Sequence, residues 1–258
     1  MTDVDDVTLA DIAARLDEAA RSASAIPQLH TRLSLSQAYS VQARSLNLRY
    51  GRGERRAGLK MGFTSRAKMT QMGVDTMIWG RLTDAMRLEE GGALDLSRYI
   101  HPRIEPEIAF LIERQIDEPL SLAQARQAVA AVAPAAEIID SRYENFKFSL
   151  TDVVADNSSS SGFVLGGWKS ADTDVTNLGM VMRADGDVRE IGSSAAILGN
   201  PWRSLVEAIR LASEAGEPLQ EGDIVLAGAA TSAIPLAGVR HLRVDVERLG
   251  RIDLFPAG

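Results

Sequence analysis

The stretch RIEPEIAF, residues 103–110, constrains the fold more than any other part of the chain. Ile104, Pro106, Ile108 and Phe110 alternate with Glu105, Glu107 and Ala109, which is the period of a β-strand. Residues i and i+2 of a strand share a face, so Glu105 and Glu107 are expected to project together. Two carboxylates that close repel, and one is driven to protonate unless a cation stands between them. A solvated edge strand would also tolerate the pair. Pro106, which cannot donate to a sheet ladder, suits an edge. The fold around this segment must therefore supply either water or a cation.

The chain has 258 residues, 45% of them hydrophobic, enough for one large domain or a core with a small accessory region. Its 28 basic and 35 acidic residues give a net charge of −7, which argues against a nucleic-acid partner. There is no cysteine, so disulfides, thiolate nucleophiles and cysteine metal sites are excluded. The opening MTDVDDVTLADIAARL is acidic, unlike a secretory or transit signal. No apolar run approaches the roughly 18 residues of a membrane span. The expectation is a soluble cytoplasmic protein with no membrane partner.

A helical front precedes a mixed remainder, with the boundary expected between residues 58 and 59. TLADIAARLDEAARSA reads as a helix capped by Thr8 and Asp11, with Leu9, Ile12, Ala13, Leu16 and Ala20 as its apolar stripe. SLSQAYSVQARSLNLRYGRG reads as a second, packed through Leu35, Tyr39, Leu46 and Tyr50 and stopped by Gly51 and Gly53. SLAQARQAVAAVAP reads as a third, capped by Ser121 and Gln124 and ended by Pro134. NPWRSLVEAIRLASEAG reads as a fourth, with Asn200 as N-cap, Pro201 at the first helical position and Gly216 at the stop. Strands are expected over 104–111, 135–139, 162–166, 178–183, 224–227, 241–247 and 251–255. They do not alternate regularly with helices, which favours a mixed, largely antiparallel α+β fold.

AAEIID, residues 135–140, places a third acid, Glu137, at the start of another apolar run. Three carboxylates entering apolar segments, in a chain with three histidines, resemble an all-oxygen site for a hard divalent ion. Magnesium or manganese fit it better than zinc. GLKMGFTSRAKMTQMGVD sets Lys60 in a strand-like context, followed by Thr64, Ser65 and Arg66; a surface lysine is the plainer reading. In DSRYENFKFSLTDVVADNSSSSGFVLGG, hydroxyls run from Ser158 to Ser161 directly after Asp156 and Asn157. Serine runs are commonly flexible loops, yet this one is wedged between two apolar segments. VLAGAATSAIPLAG offers small side chains near Thr231 and Ser232, suited to close approach of a ligand.

Taken in order, these blocks resemble the hydratase and decarboxylase group of the fumarylacetoacetate hydrolase superfamily over nearly the whole chain. The resemblance implies a mixed β-roll preceded by a small helical region. It implies Glu105, Glu107 and Glu137 as metal ligands, Mg2+ (or Mn2+) as cofactor and Lys60 as the active-site lysine. Ser160 and Ser161 would lie in a substrate-binding loop, with Thr64, Ser65, Asp156 and Thr231 among the substrate-binding residues. RYENFKFSLTDVVADN, and Ile78 where hydratases carry an acid, resemble the decarboxylase branch. The implied reaction is metal-dependent loss of CO2 from 2-oxo-3-hexenedioate to give 2-hydroxypenta-2,4-dienoate, in meta-cleavage degradation of aromatics. The alternative is hydration of that dienoate. An apolar pocket around Ile78 and Trp79 is expected to favour decarboxylation. Possible partners are the hydratase of the next step and further copies of the chain. A hydrolase would need a base such as histidine, but His30, His101 and His241 lie in no catalytic-looking motif.

Overall fold

The strand predicted around the two acids runs Arg103–Ile112 (β5) in a computed structural model that describes residues 4–65 and 76–258. It is not at an edge. Val129–Ile139 (β6) pairs antiparallel along its length, setting Glu105 opposite Glu137 and Glu107 opposite Ala135. Its other side takes Ile224–Leu226 (β11) and Ile234–Pro235 (β12). Pro106 falls in the gap between those two short strands, where its carbonyl accepts from Ala230 N at 2.9 Å. A strand residue points its N and C=O to the same side, so the proline's missing donor faces this gap and costs the β5–β6 ladder nothing. The solvated-edge alternative is thereby overturned.

Arg56–Gly62 (β1) runs parallel to β11, and Ile78–Thr83 (β2) closes that edge. Beyond β6 lie Ser160–Leu165 (β7) and the short Arg87–Leu88 (β3), with Lys169–Ser170 (β8) beside the start of β6. A second sheet orders Asp187–Ser193 (β10), Gly179–Ala184 (β9), Leu242–Val246 (β13), Gly250–Ala257 (β14) and Ala93–Asp95 (β4). Most pairs are antiparallel, so the fold is the mixed α+β arrangement expected.

The helices show where local pattern was overridden. Asp6–Ser22 (α1) is capped by Asp5, whose carboxylate accepts from Thr8 N at 2.7 Å, so Thr8 stands inside the first turn and is not the cap. Leu35–Gly51 (α2) carries a capping box of Ser34 and Gln37; its Leu35 is exposed instead of packed. The third helix is only Leu122–Arg126 (α3). The alanine-rich run from Val129 to Pro134, expected to continue it, is β6. Ladders to β5 and β8 outweigh alanine's helix propensity there. Leu150–Ala155 (α4) precedes the serine run. Pro201–Glu214 (α5) begins as expected, with Asn200 Oδ1 accepting from Trp202 N at 3.0 Å.

One face of the large sheet carries Ile104, Ile108, Phe110, Val132 and Ile138, packed on α5 and on the second sheet; Phe110 and Trp202 meet with ring centroids 4.6 Å apart. The opposite face carries Leu82, Ala109, Ala133, Ala135 and Leu226. Toward its polar end, α1 and α2 bury Leu9, Ile12, Leu16 and Val41 against Ile78, Tyr143 and Val153. No described helix is long and apolar enough to cross a membrane.

Candidate metal centre and active site

Strand register assembles the charged residues. Glu105 and Glu107 share the face of β5, and Glu137 stands directly across from Glu105 on β6. Lys60 pairs with Leu226, which pairs with Ala109 of β5, so the lysine lies on the same face. One oxygen from each of Glu105, Glu107 and Glu137 lies within 4.8 Å of the other two. Glu107 and Glu137 are fully buried, Glu105 and Lys60 nearly so.

Each group has an identifiable anchor. Lys60 Nζ lies 2.9 Å from Glu137 Oε2, while Glu137 Oε1 accepts from Ser160 Oγ at 2.8 Å. Glu107 Oε2 accepts from Gly228 N at 2.6 Å, and its Oε1 has no hydrogen-bond partner among the described residues. Gly228 adopts φ +101°, and a Cβ there would lie 2.1 Å from Thr64 Oγ1, so only glycine lets Thr64 and the Glu107 amide donor stack so closely.

Three carboxylates face one ammonium. Burial, then Glu137 and Glu105, push the Glu107 carboxyl well above the usual range. Burial also raises Glu137, with Lys60 pulling it back. Burial works against the charge on Lys60, but Glu137, Glu105 and Glu107 outweigh it, and the lysine is held above its ordinary value. An excess of buried negative charge, with one carboxylate oxygen unpartnered, is the donor set of a hard divalent cation. Among the described residues the cluster offers neither the imidazole nor the thiolate that zinc would prefer.

Of the expected substrate-binding residues, Ser160 and Thr64 reach this cluster, Ser160 through Glu137 and Thr64 through Gly228. Ser65 is half-buried beside Thr64; Arg66 lies outside the described residues. Ser161 and Asp156 belong to an adjoining cluster built on Arg142. Asp156 Oδ2 accepts from Arg142 N at 2.9 Å and its Oδ1 from Arg142 Nε, while Ser161 Oγ meets the same guanidinium. Thr231 is half-exposed and donates to Ser232 O at 2.9 Å.

Ile78 pairs with Gly62 and Gly80 with Lys60, so Ile78 shares the lysine's face. Trp79 does not. It points to the opposite side, stacked on Tyr39 at 5.4 Å, while Ile78 packs in the core under the helical front, so the two residues do not line one apolar pocket as expected. His101 packs against Phe146, and its Nε2 lies 4.0 Å from Asp140 Oδ1. Sequence reasoning missed Arg142, Asn157 and Gly228. The one available signal was the small-residue stretch AGAATS, whose amide nearest the carboxylates is Gly228, three residues before Thr231.

The profile of the Fumarylacetoacetate (FAA) hydrolase C-terminal family matches residues 77–253. The chain belongs to the fumarylacetoacetate hydrolase family. Within it, the chain is 54% identical to a 4-oxalocrotonate decarboxylase of Pseudomonas sp over 249 residues, covering 96% of this chain and 97% of that protein. It is 35% identical to a 2-keto-4-pentenoate hydratase of Burkholderia vietnamiensis over 254 residues, covering 96% and 97%. The structure of 4-oxalocrotonate decarboxylase from Pseudomonas putida G7 complexed with magnesium and adipate superposes with a TM-score of 0.94 at 36% identity, covering 99% of both chains. All three likenesses extend beyond the matched family region into the helical front.

Proposed function

We propose that this chain is a divalent-metal-dependent carboxy-lyase that converts 2-oxo-3-hexenedioate into 2-hydroxypenta-2,4-dienoate and CO2, in the meta-cleavage degradation of aromatic compounds. The observation that carries the proposal is the buried, charge-unbalanced cluster of Glu105, Glu107, Glu137 and Lys60. The 54% identity to a decarboxylase, against 35% to a hydratase, supports the choice of reaction. Adipate, held with magnesium by the Pseudomonas putida G7 relative, is a six-carbon dicarboxylate like the proposed substrate.

Glu105, Glu107 and Glu137 would hold Mg2+, with Mn2+ as a substitute. A bound ion supplies Lewis acidity to the 1-carboxylate and 2-oxo oxygens of the substrate. Loss of CO2 breaks the C5–C6 bond, and the electron pair passes through the C3–C4 double bond to the 2-oxo oxygen, which then takes a proton. Lys60, pinned by Glu137, places a cation beside the oxygens on which this charge collects, and no covalent bond to it is required. Ser160 holds Glu137 in orientation. Thr64, Ser65 and Thr231 complete the proposed substrate-binding set, with Ser161 and Asp156 acting through Arg142. Ile78 gives the lysine's face an apolar side chain where hydration would want an acid. The labile dienol product gives a reason for direct hand-over to the hydratase of the next step.

Purified protein given 2-oxo-3-hexenedioate and magnesium is expected to release CO2 stoichiometrically. Given 2-hydroxypenta-2,4-dienoate, it is expected to form little 4-hydroxy-2-oxopentanoate. Rapid hydration of the dienoate without CO2 release from the dioate would overturn the proposal in favour of a hydratase.

A further inference from the structure

The serine run is not a flexible loop. Asn157, Ser158 and Ser159 adopt φ of +50°, +52° and +59°, three successive non-glycine residues in the left-handed region. Such a turn persists only where its surroundings over-determine it. Here β2 supplies the constraint. As the edge strand of the large sheet, it presents the outward N–H and C=O of Arg81, and the Asn157 side chain takes both, Oδ1 accepting from Arg81 N at 2.8 Å and Nδ2 donating to Arg81 O at 2.9 Å. Ser158 Oγ donates to Trp79 O at 2.8 Å. Gly80, between the two anchors and paired with Lys60, leaves the space: a Cβ there would lie 2.5 Å from Asn157 O. The next residue is Ser160, whose hydroxyl lies on Glu137.

We propose that Asn157 is a positioning residue whose side-chain amide, acting as one more strand on β2, aims Ser160 at Glu137 and so tunes the carboxylate cluster for its metal. This deepens the metal-centre reading above and rests on it. The partner that orients a metal ligand typically contributes about 10–100-fold to affinity, and Ser160 is in that position toward Glu137. Asn157 stands one step further out, so its effect must pass through Ser160.

The test is Mn2+ affinity by titration of the purified full chain, which needs no turnover and is read separately from CO2 release. Ser160→Ala is expected to weaken Mn2+ about tenfold. Asn157→Gly, which accepts the left-handed φ without strain but lacks the clamp, is expected to weaken it by a similar factor. The double variant is expected to be no weaker than Ser160→Ala alone, within about twofold. Wild-type Mn2+ affinity in folded Asn157→Gly, or a loss that adds in full to that of Ser160→Ala, would overturn the proposal. If Asn157→Gly does not fold, Ser158→Ala decides, since it removes one fastening and keeps the clamp. A loss of about threefold, one hydrogen bond's worth, supports the proposal and an unchanged affinity overturns it. Failure of the decarboxylase reading would show instead as wild-type protein that binds Mn2+ and releases no CO2.

Discussion

Two buried charge clusters flank the end of β6, and they are built to opposite rules. Around Glu137, three carboxylates meet one lysine, and Glu107 Oε1 has no hydrogen-bond partner among the described residues. Around Arg142, the guanidinium is matched by Asp156, and the two oxygens of Asp140 accept from Ile100 N and His101 N, each at 2.8 Å. Burial is nearly complete in both. Burying charge is tolerable when every group is paired, as in the second cluster. Both clusters hold more carboxylates than cations, but every oxygen of Asp140 and Asp156 accepts a hydrogen bond, whereas the first has the larger surplus and an oxygen unpartnered among the described residues, where a cation can be received. The hydrogen-bonded cluster is framework, tying the turn after β6 to the serine run, while the one with the unpartnered oxygen is the proposed metal centre.

The comparison breaks first at Glu107. Glu107→Gln keeps the volume and removes one anionic ligand, so CO2 release at saturating magnesium should fall by about 10³-fold or more while the protein stays folded. Near wild-type turnover would remove Glu107 from the centre. Arg142→Met should act first on the fold. It leaves Asp156 buried without its cation and should cost about 3–5 kcal/mol in denaturant unfolding. A loss below about 1 kcal/mol would show that the second cluster is not framework.

Lys60→Met should lower kcat by about 10²-fold, as loss of one preorganised donor does. Borohydride with substrate should trap no adduct on Lys60, and a covalent adduct seen by mass spectrometry would replace charge stabilisation with Schiff-base chemistry. The smallest effect is a pH dependence at Asp156. Burial, opposed by Arg142, pushes its carboxyl up to about 6 from 3.8. Between those values the folded chain keeps a proton that the unfolded chain has released, so the residue's contribution to stability declines as pH rises through that window. Plotted against pH, wild-type stability minus that of Asp156→Asn should fall between about 4 and 6, by 1–3 kcal/mol in order of magnitude, then level off. A flat difference would place the titration elsewhere.

The carboxylate cluster was more legible in the sequence than the framework. Strand periodicity alone puts Glu105 and Glu107 on one face, and their apolar neighbours signal burial. Glu137 stood out as a single charge in an apolar run, whereas Lys60 read more plainly as a surface lysine and was marked only by the family resemblance. Arg142 and Asn157 carry no such mark, because what they do depends on partners distant in sequence. Asn157 acts on Arg81, 76 residues away, and a left-handed turn of serines looks locally like a loop. The alanines after Val129 fit a helix as well as a strand, and only the ladders to β5 and β8 decide between them. The Asp5 cap was missed for a local reason: a cap and a first-turn residue three positions on both carry acceptor side chains.

The central claim, that the excess charge at Glu105, Glu107 and Glu137 awaits a cation, is tested most directly by thermal unfolding of wild type and Glu107→Gln, each with EDTA and with magnesium. Without metal, the variant should melt at or above wild type, because it relieves crowding among buried carboxylates. With magnesium, wild type alone should rise, by about 2.7 kcal/mol of stability at a hundredfold excess over Kd. A metal-free variant that melts several degrees below wild type, and gains as much from magnesium as wild type does, would contradict the claim.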